Sequence, residues 1–370
     1  MLINSRIINP LKGFQVNPDE IKILGKDLQR PECILTEKDG TVWTADARGG
    51  VMKINADGTQ HMIIGDFGYA TCRPAGKVSD FGNQPNIEHA SKIRHPKSDI
   101  RNDNARYIQA QGSLPNGLCF DEKGNIIIAN WGTNHIERMT RDGKMTTMLT
   151  EIDGCALGKT NFPLRDSKGR IWFTVTTKTE PWNDQINSRK TDGYIAIIDE
   201  KGARIVADGF CGTNEIRFDD KEEWLYVVES TGWKIVRLRV QEDGSLSNRE
   251  VYGPSQLDGF PDGFAFDAFG NLWVTLIFTD VLIAITPGGE VLTILDDSNP
   301  VTKKKLFAAY HSNSVTPEIL GETKGTIAPW MASLSFGGTG LKTVYLGSLR
   351  GTTVPYFTCP VAGQKMIHWR

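Results

Sequence analysis

Apolar and polar positions along the chain recur as one repeated unit, not as amphipathic helices. An acidic turn, usually with a glycine, leads into an apolar strand that often carries an aromatic; a second strand and another turn follow. The copies read EKDGTVWTADARGGVMKINADG, DEKGNIIIANWGTNHIERMTRDG, DSKGRIWFTVTT, DDKEEWLYVVESTGWKIVRLRV, DAFGNLWVTLIFTDVLIAITPGG and, more degenerate, GGTGLKTVYLGSLRG. Aligned on one strand position they give Trp43, Ile127, Trp172, Leu225, Trp273 and Val344. Gly40, Gly124, Gly169 and Gly270 stand three residues earlier in four of the six copies. Successive anchors lie 84, 45, 53, 48 and 71 residues apart, and the three shorter spacings suit one four-stranded propeller blade each. The pattern predicts an all-β protein, a six-bladed β-propeller with four-stranded blades forming a single domain over residues 1–370. The two long spacings hold insertions at about 65–113 and 296–329, of the length and polarity used for lids and binding loops. The most apolar stretch, Leu272 to Ile285, contains Asp280, is too short to cross a bilayer, and reads as two buried strands.

Composition narrows the function classes. Lysine plus arginine number 42 against 44 acidic residues, a formal net charge of −2, which offers no electrostatic footprint for nucleic acid or an anionic membrane. The expected partner is a small molecule, with oligomeric state left open. Six cysteines show neither CxxC spacing nor clustering, so buried free thiols are expected in place of a disulfide framework or zinc site. The start, MLINSRIINPLKG, lacks the basic flank and apolar run of a signal peptide, so a cytoplasmic location is expected.

Eleven residues before each anchor stand Glu32, Asn116, Asn161, Asn214, Asp262 and Ser333. Each precedes the strand leading into the acidic turn, and in a propeller such equivalent positions converge around the central axis. A ring of two carboxylates, three carboxamides and a hydroxyl presents hard oxygen donors, suited to Ca²⁺ or Mg²⁺ in a central metal-binding channel. A divalent ion would also balance Glu32 and Asp262. Taken singly, each Asn or Asp is equally a turn former at a strand start.

The segments PECILTEKDGTVWTAD, NFPLRDSKGRIWFT, TNEIRFDDKEEWLYVVES and FPDGFAFDAFGNLWVT resemble the ligand-bearing segments of the senescence marker protein, gluconolactonase and luciferin-regenerating enzyme family, with diisopropyl fluorophosphatase more distant. The resemblance runs from about Pro31 to Gly363. It implies a six-bladed propeller with a catalytic divalent cation, held at Glu32, Asn214 and Asp262 with Asn161 beside it; calcium is expected, with Mg²⁺, Mn²⁺ and Zn²⁺ as alternatives. Lys159 sits where some relatives place a substrate-binding arginine. Asn116 and Ser333 complete the substrate-binding candidates. The sequence departs from the family where Cys33 follows the first glutamate and where Phe162 and Pro163 follow Asn161, which puts the pocket shape in question.

The chemistry implied is hydrolysis of a small lactone or related ester, with Asp262 as catalytic residue, acting either as base for a water or as direct nucleophile. No GxSxG elbow appears, and six histidines provide no motif for a Ser-His-Asp triad. His89 and His95 would reach the channel only if the first insertion folds over it. Trp131, Trp182 and Trp233 are candidates for a pocket wall, with packing as the plainer role. Two other functions stay open: another reaction class at the same metal (phosphotriester hydrolysis, or non-hydrolytic condensation or cyclisation), which an aromatic pocket would favour, and a non-catalytic binding propeller.

Overall fold

The computed structural model describes residues 8–65 and 112–369. Six four-stranded antiparallel sheets make up the blades. Their innermost strands are Ile34–Thr36, Pro115–Phe120, Thr160–Arg165, Thr213–Phe218, Phe260–Phe266 and Met331–Gly337. Five blades are formed by consecutive strands, whereas the sixth takes its outermost strand, Lys22–Leu24, from the N-terminal segment, pairing it with Val354–Tyr356. The ring is thereby closed by backbone hydrogen bonds and not left with two open sheet edges.

The repeated acidic turn has a local cause. In blade 3, Asp166 accepts hydrogen bonds from the backbone N–H groups of Lys168 and Arg170 and from Trp172 Nε1 at 2.9 Å. Asp267 does the same in blade 5 for Phe269, Asn271 and Trp273 Nε1. The turn bends through a glycine at positive φ, 80° at Gly169 and 91° at Gly270, where a side chain would be strained. Aspartate, glycine and tryptophan thus recur together because one carboxylate caps the turn and holds the indole. The three tryptophan anchors are fully buried, and their neighbours fill the space between blades.

The expected pair of buried strands is Leu272–Ile277 and Val281–Ile285. The insertion at 296–329 folds as two helices, α2 (Pro300–His311) and α3 (Pro317–Glu322); a shorter helix, α1 (Asp184–Ser188), precedes them in the chain. Asn299 caps α2 by accepting from the backbone of Val301 and Thr302. The returning chain is clasped by buried Asp280, which accepts from Met331 N at 2.7 Å and from Gly325 N. Burial pushes the Asp280 carboxyl up to about 6 against those hydrogen bonds. The other expected insertion, with His89 and His95, lies almost wholly outside the described residues. Cys33, Cys119, Cys211 and Cys359 are buried free thiols as expected, but Cys155 is exposed in a two-stranded hairpin. Among the described residues no helix is long and apolar enough to cross a membrane.

Candidate functional site

Each innermost strand of blades 2 to 5 carries an irregularity at its channel end. Two residues oppose one on the neighbouring strand between Pro115 and Leu118, Thr160 and Pro163, Thr213 and Ile216, and Pro261 and Phe264. The extra residue bends the strand and re-aims its side chain. Asn116, Asn161, Asn214 and Asp262 occupy these bulges, and all four line one cavity with Glu32. That cavity spans about 630 Å³ of atom-free space, counting its open mouth. Five of the six ring candidates therefore converge.

The sixth does not. In blade 6 the irregularity falls one residue earlier, at Ala332, so Ser333 is back in register opposite Gly347. Ser333 is buried and stands apart from the lining, so the expected substrate-binding role has no geometry behind it. Lys159 is also absent from the lining: its ammonium lies 2.9 Å from Glu180 Oε1 and ties down the loop that carries Trp182. Cys33, Phe162 and Pro163 are not among the residues lining this cavity. The Cys33 thiol takes a hydrogen bond from Leu118 N beneath Glu32, and Phe162 and Pro163 line a separate cavity below.

Two charged residues at the centre escaped the sequence reading. Arg30, at φ 56°, turns its guanidinium into the channel: Nη2 donates to Asn116 Oδ1 at 2.6 Å, Nη1 donates to Pro115 O at 3.1 Å, and Nη1 stands 3.0 Å from Glu32 Oε2. Glu215, beside Asn214 in the bulge, points to the floor, where Arg217 Nη2 meets it at 2.8 Å. Their sequence signals were the charged neighbours in RPE and NE, which no periodicity distinguishes from surface charges.

The electrostatics call for another positive charge. Burial raises Glu32 to about 7 against the pull of Arg30, and raises Glu215 against that of Arg217. Asp262 is held well above the usual carboxylate range by burial, then by the charges of Glu32 and Glu215. Three buried carboxylates face two guanidinium groups, so full ionisation leaves one negative charge uncompensated. Asn214 Nδ2 contacts Asp262 Oδ1, Glu32 Oε2 meets only the Arg30 guanidinium, and Asn161 Oδ1 has no hydrogen-bond partner. Unpaired buried oxygens of this kind are costly unless a proton or cation meets them. The donor set fits a hard divalent ion, and Glu32, Asn161, Asn214 and Asp262 are the residues that could hold it. Among the described residues no three His, Cys, Asp or Glu side chains form a metal cluster, so such a site depends on its amides.

Fold and site define a six-bladed propeller with an oxygen-rich centre at one end of its channel. Residues 159–302 match the family model described as the SMP-30/Gluconolactonase/LRE-like region, so the chain carries the region its sequence resembles. The 6-deoxy-6-sulfogluconolactonase of Pseudomonas putida is 25% identical over 243 residues, 64% of this chain and 70% of that protein. Among solved structures, a gluconolactonase of Xanthomonas campestris superposes with TM-score 0.59 at 17% identity, covering 92% of this chain and 90% of that one. The calcium-binding protein regucalcin of Agrobacterium tumefaciens gives TM-score 0.59 at 12% identity over 94% and 98%. These two superpositions speak for the fold.

Proposed function

We propose that the chain is a divalent-metal-dependent hydrolase of lactones or related esters, working in the upper half of the channel. The observation that carries this reading is the buried, unpartnered Asn161 Oδ1 beside the Glu32 and Asp262 carboxylates, whose two charges face Arg30 as the one cation among the described lining residues. The lactonase-type family region and relatives support the reaction class. A calcium ion among these oxygens would supply Lewis-acid polarisation of a carbonyl, a more acidic bound water and compensation of the carboxylate charge.

The chain's own residues supply the rest. Asp262 Oδ takes the proton of the attacking water as the water oxygen bonds to the carbonyl carbon; the C–O bond to the leaving oxygen then breaks and Asp262 returns that proton to it. Asn161 orients the substrate carbonyl through its amide, while Asn214, its nitrogen engaged by Asp262 and Ser230, holds the Asp262 carboxylate in position. Arg30 holds Asn116 and neutralises part of the Glu32 charge, keeping the ring of donors in place. A lactone panel assayed with calcium and with chelator tests the proposal, together with the metal content of Asp262→Ala. Lost turnover with metal retained supports it; unchanged turnover removes Asp262 from the mechanism, and no activity on any lactone removes the reading. A second reading, phosphotriester hydrolysis at the same centre, is favoured by the aromatic residues in the cavity lining and is assayed in the same panel.

A further inference from the structure

Part of the lining of the upper cavity is aromatic. Trp131 follows the second strand of blade 2, Trp182 lies in the loop before α1, and their rings meet edge to face at 5.8 Å. Phe260 and Phe278, also in the lining, pack edge to face at 5.4 Å beside Ile277. The Trp182 loop is fixed from below by the Lys159–Glu180 pair, so this corner is a built surface.

The indoles of this corner only donate, and Trp131 Nε1 and Trp182 Nε1 are buried without partners. Free acceptors of the cavity, Thr176 Oγ1 and Asn161 Oδ1, belong to other lining residues. Much of the polar lining is already engaged: Gln185 with Thr231 and Lys190 O, Ser230 with Asn214, and Asn116 with Arg30 and Asn161 O. A polyhydroxylated ring seated here would set several hydroxyl donors against indole and phenyl faces, with few free acceptors to meet them. A flat apolar ring would instead gain contact area and edge-to-face packing, with its ring or carbonyl oxygens accepting from the indoles.

We infer that the Trp131–Trp182 corner is a subsite for an aromatic or compact apolar body, so that the substrate is an aryl- or alkyl-bearing lactone or ester and not a sugar lactone. This rests on the hydrolase reading, and the experiment separates the two. Turnover of dihydrocoumarin and of glucono-1,5-lactone is compared with calcium present, and binding of the non-hydrolysable lactam 3,4-dihydro-2-quinolinone is measured by calorimetry. The expected result is a kcat/KM about tenfold to a hundredfold higher for dihydrocoumarin, the range a hydrophobic pocket commands. Trp182→Ala weakens lactam binding about tenfold, whereas Trp182→Phe keeps most of it because the aromatic face is retained; thermal melting confirms that both variants fold. Turnover of gluconolactone with no binding of the lactam overturns the subsite and leaves the hydrolase standing. Lactam binding that depends on Trp182, with neither lactone turned over, keeps the subsite and removes the hydrolase. Equal rates on both lactones, or lactam binding indifferent to Trp182, also overturn the subsite.

Discussion

The two halves of the channel lie at opposite ends of the innermost strands, yet they are chemically unlike. At the upper end, bulges turn Asn116, Asn161, Asn214 and Asp262 inward around a cavity rich in oxygen donors. At the lower end, regular pairing presents Leu35, Leu118, Phe120, Leu334 and Phe336 to a mainly apolar cavity. The C-terminal segment closes that end, with His368 Nε2 and Trp369 Nε1 each 2.8 Å from Thr36 O. Between the halves lies the Glu215–Arg217 pair, its guanidinium 4.3 Å over the Phe162 ring. One irregularity per strand is enough to separate a reactive end from a structural one.

If that division holds, changes at the two ends differ in kind. Asp262→Ala should have the largest effect, cutting lactone or ester turnover by about 10²–10⁴-fold, the usual worth of a positioned general base, with little change in melting temperature. Leu118→Ala, at the fully buried lower end, should do the reverse. It should lose about 2–5 kcal/mol of unfolding free energy in denaturant titration, as cavity-creating changes do, and retain turnover by the fraction that stays folded. Calcium at about a hundred times its Kd should stabilise the protein by about 2.7 kcal/mol, seen as a rise in melting temperature. Glu32→Gln should abolish that rise, whereas Leu118→Ala should keep it.

The smallest effect is expected at the closing segment. Burial lowers His368 from its ordinary 6.5 to about 4, against a hydrogen bond to Thr36 O that opposes the shift. The unfolded chain then binds more protons than the folded one between those values, so stability is fully present above about 6.5 and declines as pH falls toward 4. Melting curves at pH 7.5 and 5 should show a loss that His368→Phe reduces. An equal loss in the variant would place the acid sensitivity elsewhere.

Much of this architecture was legible in the repeat, because each turn and anchor serves the same local purpose in every blade. The alignment nevertheless contained an error that cancelled. Leu164 pairs with Trp172 and Ala265 with Trp273, and the matching pair in blade 4 is Arg217 with Tyr226, so the anchor there is Tyr226 and not Leu225. The turn in that blade is one residue longer, and counting eleven back from the wrong anchor still reached Asn214. Ser333 failed for the complementary reason: its count was right, but the displaced bulge returned it to register. Such shifts depend on how neighbouring strands pair, which no single strand encodes. Arg30 and Glu215 were missed because an inward-facing charge differs from a solvated one only through its distant partners. The closing strand Lys22–Leu24 was missed because three residues carry no periodicity.

That strand has a consequence for how the protein assembles. Lys22 meets Tyr356 and Leu24 meets Val354, contacts between residues more than three hundred positions apart. The entropy of joining such distant segments falls if the intervening blades have already formed, since each completed blade shortens the effective tether. The seam is therefore the natural last step of folding and the first place for the annulus to open under load or heat. Hydrogen exchange at Ile23 should outpace that at the central strands.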